Sequence, residues 1–148
     1  MNPTAFAFIA VIIGGALTAL QGPTNARLAS ATGSAVNAAL ISFAVGTVAL
    51  LMLAAVLQTR VDMAATRALP AYAWLGGLYG AVFVVASAYA VPKLGVATTI
   101  VLMVAGQMLV SLVLDHFGAM GVPRQPISPL RVLGVAMLIG GVLLVRRG

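Results

Sequence analysis

The sequence has very little charge and no cysteine. Of its 148 residues only two are acidic, and all charged residues together make up 7%. A soluble domain carries about 25% charged residues, because a solvated surface must cover its core. The absence of cysteine excludes disulfides and thiolate metal sites. One histidine and two aspartates are too few ligands for a zinc or di-iron centre, so we predict no metal and no cofactor.

Apolar residues are abundant in place of charge, at 62% of the chain. A membrane-spanning helix needs roughly 20 such residues in a row, and breakers or charges divide this sequence on that scale. We therefore predict an all-α membrane protein of five transmembrane helices in one domain, residues 1-148. The predicted spans are residues 4-28, 35-57, 71-91, 96-114 and 130-145. The first span is interpreted as a retained helix and not as a signal peptide, because no Lys or Arg precedes it.

The basic residues lie singly or in pairs at the ends of the apolar runs, which is typical of a membrane protein and not of a nucleic-acid-binding one. We predict a multi-pass protein of the bacterial inner membrane. With five spans, four basic residues fall on each side of the bilayer: Arg60, Arg67, Arg124 and Arg131 against Arg27, Lys93, Arg146 and Arg147. Orientation follows an excess of Lys and Arg, so this balance predicts dual topology. The alternative is a weak bias that other features resolve.

Polar residues recur at multiples of four positions along the fourth predicted helix, with Met103 completing the series. Thr99, Gln107, Ser111 and Asp115 therefore lie near one helix face. Gln107 is close to the middle of the span, where a polar side chain is costly without a partner or a wet cavity. We predict that Gln107 and Ser111 contact a transported substrate. The alternative is hydrogen bonding that only holds helices together.

A second polar group follows the first apolar run. Gly22 and Pro23 favour a kink or a break, and Gln21 and Asn25 would share a face if the helix resumes. Broken helices beside polar side chains are typical of transport sites, so Gln21, Asn25 and the nearby Asn37 are further substrate-binding candidates. The alternative is that the helix ends here in an interfacial turn.

Asp115 and His116 raise the question of catalysis or a proton relay. An enzyme needs a nucleophile, a base and oxyanion donors in one site, and the sequence offers no such set. We predict that the protein is not an enzyme. A structural or topological role for this pair is favoured over direct proton coupling.

Three stretches carry a family resemblance. GVAMLIGGV, from Gly134 to Val142, is similar to the glycine-rich dimerisation stretch in the last helix of small multidrug resistance proteins. GQMLVSLVLDHFG, from Gly106, and NARLASATGS, from Asn25, resemble the half-size YdcZ-like family of the drug/metabolite transporter superfamily, alongside EamA-type transporters. The resemblance implies a five-helix half that forms an antiparallel homodimer with Gly134 and Gly141 in the interface.

The resemblance also implies a function, the export of a small metabolite or drug by alternating access. One departure concerns the substrate. Small multidrug resistance proteins carry a glutamate in their first helix, whereas the first helix here has Gly14 and Gly15 at its centre and no carboxylate. Two alternatives are a dual-topology ion (anion) channel, whose glycine-arginine signature is absent, and a non-transporting accessory half that pairs with a homologue.

Overall fold

The computed structural model describes residues 2–147, so Met1 and Gly148 of the predicted domain lie outside it, as do the side chains of the two terminal arginines. Every regular element in this range is helical, which confirms the all-α prediction there. The contacts divide the chain between Lys93 and Leu94 into two compact units. The helices are α1 (Pro3–Thr32), α2 (Ala35–Val56), α3 (Met63–Arg67), α4 (Gly76–Leu94), α5 (Val96–Phe117) and α6 (Pro129–Arg147).

Four of these helices, α1, α2, α4 and α5, are long and apolar enough to cross a membrane. The apolar part of α6 is shorter, Pro129–Val145. The count of five spans and the single domain therefore remain predictions.

In the first unit, α1 and α2 form a helical hairpin. The side chain of Asn2 caps α1 by accepting a hydrogen bond from the Thr4 amide at 3.0 Å. Gly33 ends α1 in a left-handed conformation, with φ of 70°. Ser34 then caps α2 by accepting from the amides of Val36 and Asn37. Because only two residues join them, α1 and α2 are antiparallel neighbours.

The first helix does not end at Gly22 and Pro23, and it extends beyond residue 28 to Thr32. Pro23 lacks the amide that would bond to the Ala19 carbonyl, which costs one hydrogen bond. The hydroxyl of Thr24 donates to the Leu20 carbonyl at 2.9 Å and supports the next turn. The interpretation of this segment as an interfacial turn is thus corrected.

The segment between α2 and α4 is more ordered than a plain loop. Asp62 caps the short α3 by accepting from the amides of Ala64 and Ala65. A 3₁₀ turn then runs over Ala71–Trp74 after Pro70, so α4 begins five residues later than the predicted residue 71. Residues 71–74 therefore form a 3₁₀ turn in place of the first turn of the predicted helix.

The ends of α4 and α5 also differ from the prediction. Helix α4 continues through Pro92 to Leu94, and Gly95, with φ of 80°, separates it from α5. In the second unit, α5 runs past residue 114 to Phe117 and ends at the left-handed Gly118. A 3₁₀ turn at Ala119–Gly121 leads towards α6, which begins at Pro129.

Large apolar side chains lie on the outside of the helices and small ones at the contacts between them, the reverse of a soluble protein. Large apolar side chains such as Phe8, Leu50 and Leu144 are exposed along the helices. Small residues at the contacts let membrane helices approach closely, while large apolar ones face lipid. Every buried apolar residue among those described is alanine or valine: Ala26, Ala38, Ala39, Val84, Ala88, Val91, Val135 and Val142.

Candidate substrate site and partner surface

Helices α1 and α4 lie close together at Gly22. A Cβ atom at this position would lie 3.1 Å from Ser87 Oγ and 3.2 Å from Val91 Cγ2. Both of these side chains are buried. Glycine therefore makes the close approach of the two helices possible.

Asn25 lies one turn beyond this contact, on the same face of α1 as Gly22. Its side chain is only 2% exposed, and its Nδ2 atom has no hydrogen-bond partner among the described residues. A buried amide without a partner is destabilising. Of the five predicted substrate-binding residues, Asn25 is the one that the structure buries.

Gln21 has a different environment. Its side chain is exposed and lines a groove of about 210 Å³ between α1 and α2, together with Ser42, Thr47 and apolar residues. Sequence reasoning did not identify Ser42, Thr47 or Ser87. Their signal is weak, because a hydroxyl in a helix can bond to a carbonyl of its own preceding turn and needs no further partner.

Asn37, unlike Asn25, is not buried in the first unit. Its side chain is exposed at the start of α2, and Ala38 and Ala39 are the buried residues there. The packed face of α2 is therefore adjacent to Asn37 and does not include it.

Gln107 and Ser111 belong to α5 in the second unit, and both are exposed. The Ser111 hydroxyl donates to the Met108 carbonyl at 3.0 Å. Thr99, on the same predicted stripe, is only 2% exposed and donates to the Gly95 carbonyl at 2.7 Å. The two candidates are thus open to lipid, substrate or a partner.

A polar cluster joins the end of α5 to the start of α6. Arg131 Nη1 lies 3.3 Å from Asp115 Oδ2, in an ion pair whose side chains are 33% and 37% exposed. Arg131 also donates to the side-chain and backbone oxygens of Gln125. The backbone amide of Gln125 donates a hydrogen bond to the backbone carbonyl of Asp115 at 2.7 Å.

His116 contributes to the same cluster through its ring and its backbone. Its Nδ1 accepts a hydrogen bond from the Ile127 amide at 3.1 Å, and its carbonyl accepts one from Arg124 Nε at 3.1 Å. Asp115 and His116 therefore hold the loop that connects α5 to α6. This geometry supports the structural role favoured from the sequence.

The glycine stripe of α6 is open. A Cβ atom at Gly134 or Gly141 would meet no atom within 4 Å. The buried residues of this helix are Val135 and Val142, one position after each glycine. Packing around the described part of α6 therefore uses the valine face, and no described atom lies against the positions of Gly134 and Gly141.

Charge in the helices of the first unit is entirely positive. Helices α1, α2 and α4 contain Arg27 and Lys93 and no carboxylate. The Lys93 ammonium donates to the Tyr89 hydroxyl at 2.9 Å and lies 4.1 Å from the centre of its ring. The acidic residue of this unit, Asp62, caps α3 outside the spans.

Comparison with known proteins extends these observations. Residues 6–144 match the family described as "Putative inner membrane exporter, YdcZ". The inner membrane protein YdcZ of Escherichia coli (strain K12) is 42% identical over 72 residues, which cover 48% of this chain and 47% of the relative. The aligned part of the chain thus spans about half the length of that relative. No solved structure matches the chain.

The match over nearly the whole chain confirms the resemblance inferred from the three sequence stretches. The apolar helices of both units agree with a multi-pass protein of the inner membrane. The chain therefore belongs to the YdcZ family of inner-membrane proteins.

Proposed function

We propose that this protein exports a small metabolite or drug by alternating access, as an antiparallel homodimer of two five-helix halves. The observation that carries the proposal is Asn25, a buried amide with a free donor between apolar membrane helices. Polar groups at such places are costly and are typical of transport pathways. The family's description as an inner membrane exporter supports the same function.

The fifth span in this proposal is α6. Its 19 residues extend about 28 Å at 1.5 Å per residue, close to the thickness of a hydrocarbon core. Arg131 lies at one end of this helix, where its partners Asp115 and Gln125 hold it. The chain is then a single transmembrane domain, with an odd number of spans.

The proposed dimer interface is the glycine stripe of Gly134 and Gly141. These residues are seven apart, two turns of one face, and no side chain of the described part covers them. Missing side chains leave a groove into which a second helix can pack. The four-to-four balance of basic residues supports insertion in both orientations, which an antiparallel pair requires.

The proposed dimer contains two copies of each candidate residue. The residues proposed to contact the substrate are Gln21, Asn25 and Asn37 in the first unit and Gln107 and Ser111, which are exposed, in the second. Because these side chains are uncharged, they recognise a substrate through hydrogen bonds and not through a titrating carboxylate.

The test of export combines binding and transport. The purified protein is screened by thermal unfolding against amino acids, nucleobases, organic cations and organic anions, because a ligand of the folded state raises its apparent stability. A compound that stabilises the protein is then loaded into proteoliposomes, and its protein-dependent exchange is measured. A protein that no compound stabilises and that exchanges none of them contradicts the proposal.

The test of dual topology uses a C-terminal reporter. We expect activity on both sides of the membrane, and nearly one-sided activity after two lysines are added at the C-terminus. A reporter found on one side only in the unmodified chain contradicts the antiparallel dimer, while leaving export itself open to the first test.

A further inference from the structure

We infer that the transported molecule is an uncharged or anionic compound that presents a hydrogen-bond acceptor to Asn25, and that cations are excluded. The inference rests on the proposed export function and adds the chemical class of the substrate. Two independent features carry it, the free amide of Asn25 and the absence of negative charge from the surrounding helices.

The amide group of Asn25 determines which partner is missing. Nδ2 can only donate hydrogen bonds, and it has no acceptor among the described residues although the side chain is 2% exposed. A ligand that completes this site must supply an acceptor, such as a carbonyl or carboxylate oxygen. An ammonium group, which has donors only, leaves Nδ2 unpaired.

The charges of the same unit point in the same direction. Arg27 is two residues from Asn25, and Lys93 is two residues from Val91 at the α1–α4 contact. A cation in this region would meet positive charge and no carboxylate within α1, α2 or α4, since Asp62 is engaged at the start of α3. Charge of one sign raises the local concentration of the opposite one and repels its own.

The position of Asn25 explains why an uncompensated donor persists. Gly22 brings Ser87 and Val91 against α1 one turn away, so the amide lies beside a contact between two helices and not on an exposed face. Leucine has the same branched shape as asparagine and needs no hydrogen bond. If no ligand used the amide, leucine at this position would be the more stable choice.

The experiment compares Asn25→Leu with Gln58→Leu, which replaces an exposed amide by leucine in the turn after α2. Thermal unfolding of the full chain is measured alone and with two matched probe series, benzoate, benzamide and benzylammonium, and butyrate, butyramide and butylammonium. Within a series only the charge and hydrogen-bonding group change. We expect the acid or the amide to raise the melting temperature of the unmodified chain and of Gln58→Leu by about 2 to 4 °C or more at saturation, with no rise for the ammonium compounds.

Asn25→Leu should lose this rise while melting, without ligand, no lower than the unmodified chain. A second variant, Asn25→Asp, replaces the donor with a carboxylate of equal size. It should reverse the ranking of the probes, so that the ammonium compounds raise its melting temperature and the acids and amides do not. The inference alone is overturned if an ammonium compound stabilises the unmodified chain best, if Asn25→Leu keeps the response to acids and amides, or if folded Asn25→Asp shows no reversal. If no probe stabilises the unmodified chain or Gln58→Leu, and the broader screen and exchange assay are also negative, the export proposal is overturned together with it.

Discussion

Replacement of Gly22 by leucine tests the α1–α4 contact on which the candidate site depends. The new Cβ would lie 3.1 Å from Ser87 Oγ and 3.2 Å from Val91 Cγ2, and these neighbours are only 7% and 9% exposed. Overpacking of this kind costs about 1 to 3 kcal/mol. Removing a glycine from a helix interior gives back up to about 1 kcal/mol.

Gly15→Leu is the matched control, because Gly15 lies in the same helix and a Cβ there would meet nothing within 4 Å. The Gly15→Leu variant gains the helix propensity of leucine but has no clash with a neighbouring helix. We therefore expect Gly22→Leu to be less stable than Gly15→Leu by about 1 to 3 kcal/mol. Gly22→Ala, whose single methyl group needs only a small movement of Ser87, should lie between the two.

The measurement is unfolding by sodium dodecyl sulfate in mixed micelles, followed by helical circular dichroism. The free energies of unfolding of the three variants are compared with that of the unmodified chain. Equal stability for Gly22→Leu and Gly15→Leu would refute the close α1–α4 contact, and with it the argument that Asn25 is buried by that contact.

Three further predictions concern the second unit. Asp115→Asn should lower the free energy of unfolding by only about 0.2 to 1 kcal/mol, since the ion pair with Arg131 is about one-third exposed; a loss several times larger in detergent unfolding would show that the cluster is more tightly coupled than its exposure indicates. Gly141→Leu should reduce cross-linked dimers more than Gly140→Leu, which lies on a different face of α6, and equal dimer fractions would count against the glycine stripe. Gln107→Leu should abolish ligand-induced stabilisation while the dimer persists, and an unchanged thermal response would remove Gln107 from the substrate site.

The apolar runs were sufficient to predict helical elements but not all of their ends. The predicted second span, 35-57, coincides within one residue with Ala35–Val56, because Ser34 is a recognisable cap. The predicted start at residue 71 failed, because the distinction between a 3₁₀ turn and an α-helix after Pro70 depends on local hydrogen bonds that composition does not reveal. Similarly, the α5 extension to Phe117 includes Asp115 and His116, whose polarity suggested a loop before their partners were known.

The candidate site shows a different limit of sequence reasoning. The sequence identifies Asn25 as a polar residue next to Gly22 and Pro23, but its burial depends on which face of α1 meets α4. Gln21, only one turn away, is exposed, whereas Asn25 is buried. Spacing along one helix gives the relative directions of side chains, whereas the identity of the neighbouring helix is a property of the tertiary fold.

The two-residue turn between α1 and α2 has a consequence for biogenesis. Gly33 and Ser34 are uncharged, and the nearest basic residue, Arg27, lies inside the end of α1. With so short a connection, the two helices enter the bilayer as one hairpin whose turn carries no positive charge to retain it in the cytoplasm. This hairpin thus contributes only Arg27 to the balance of basic residues, and the choice of orientation depends mainly on segments synthesised later, beginning with Arg60 and Arg67.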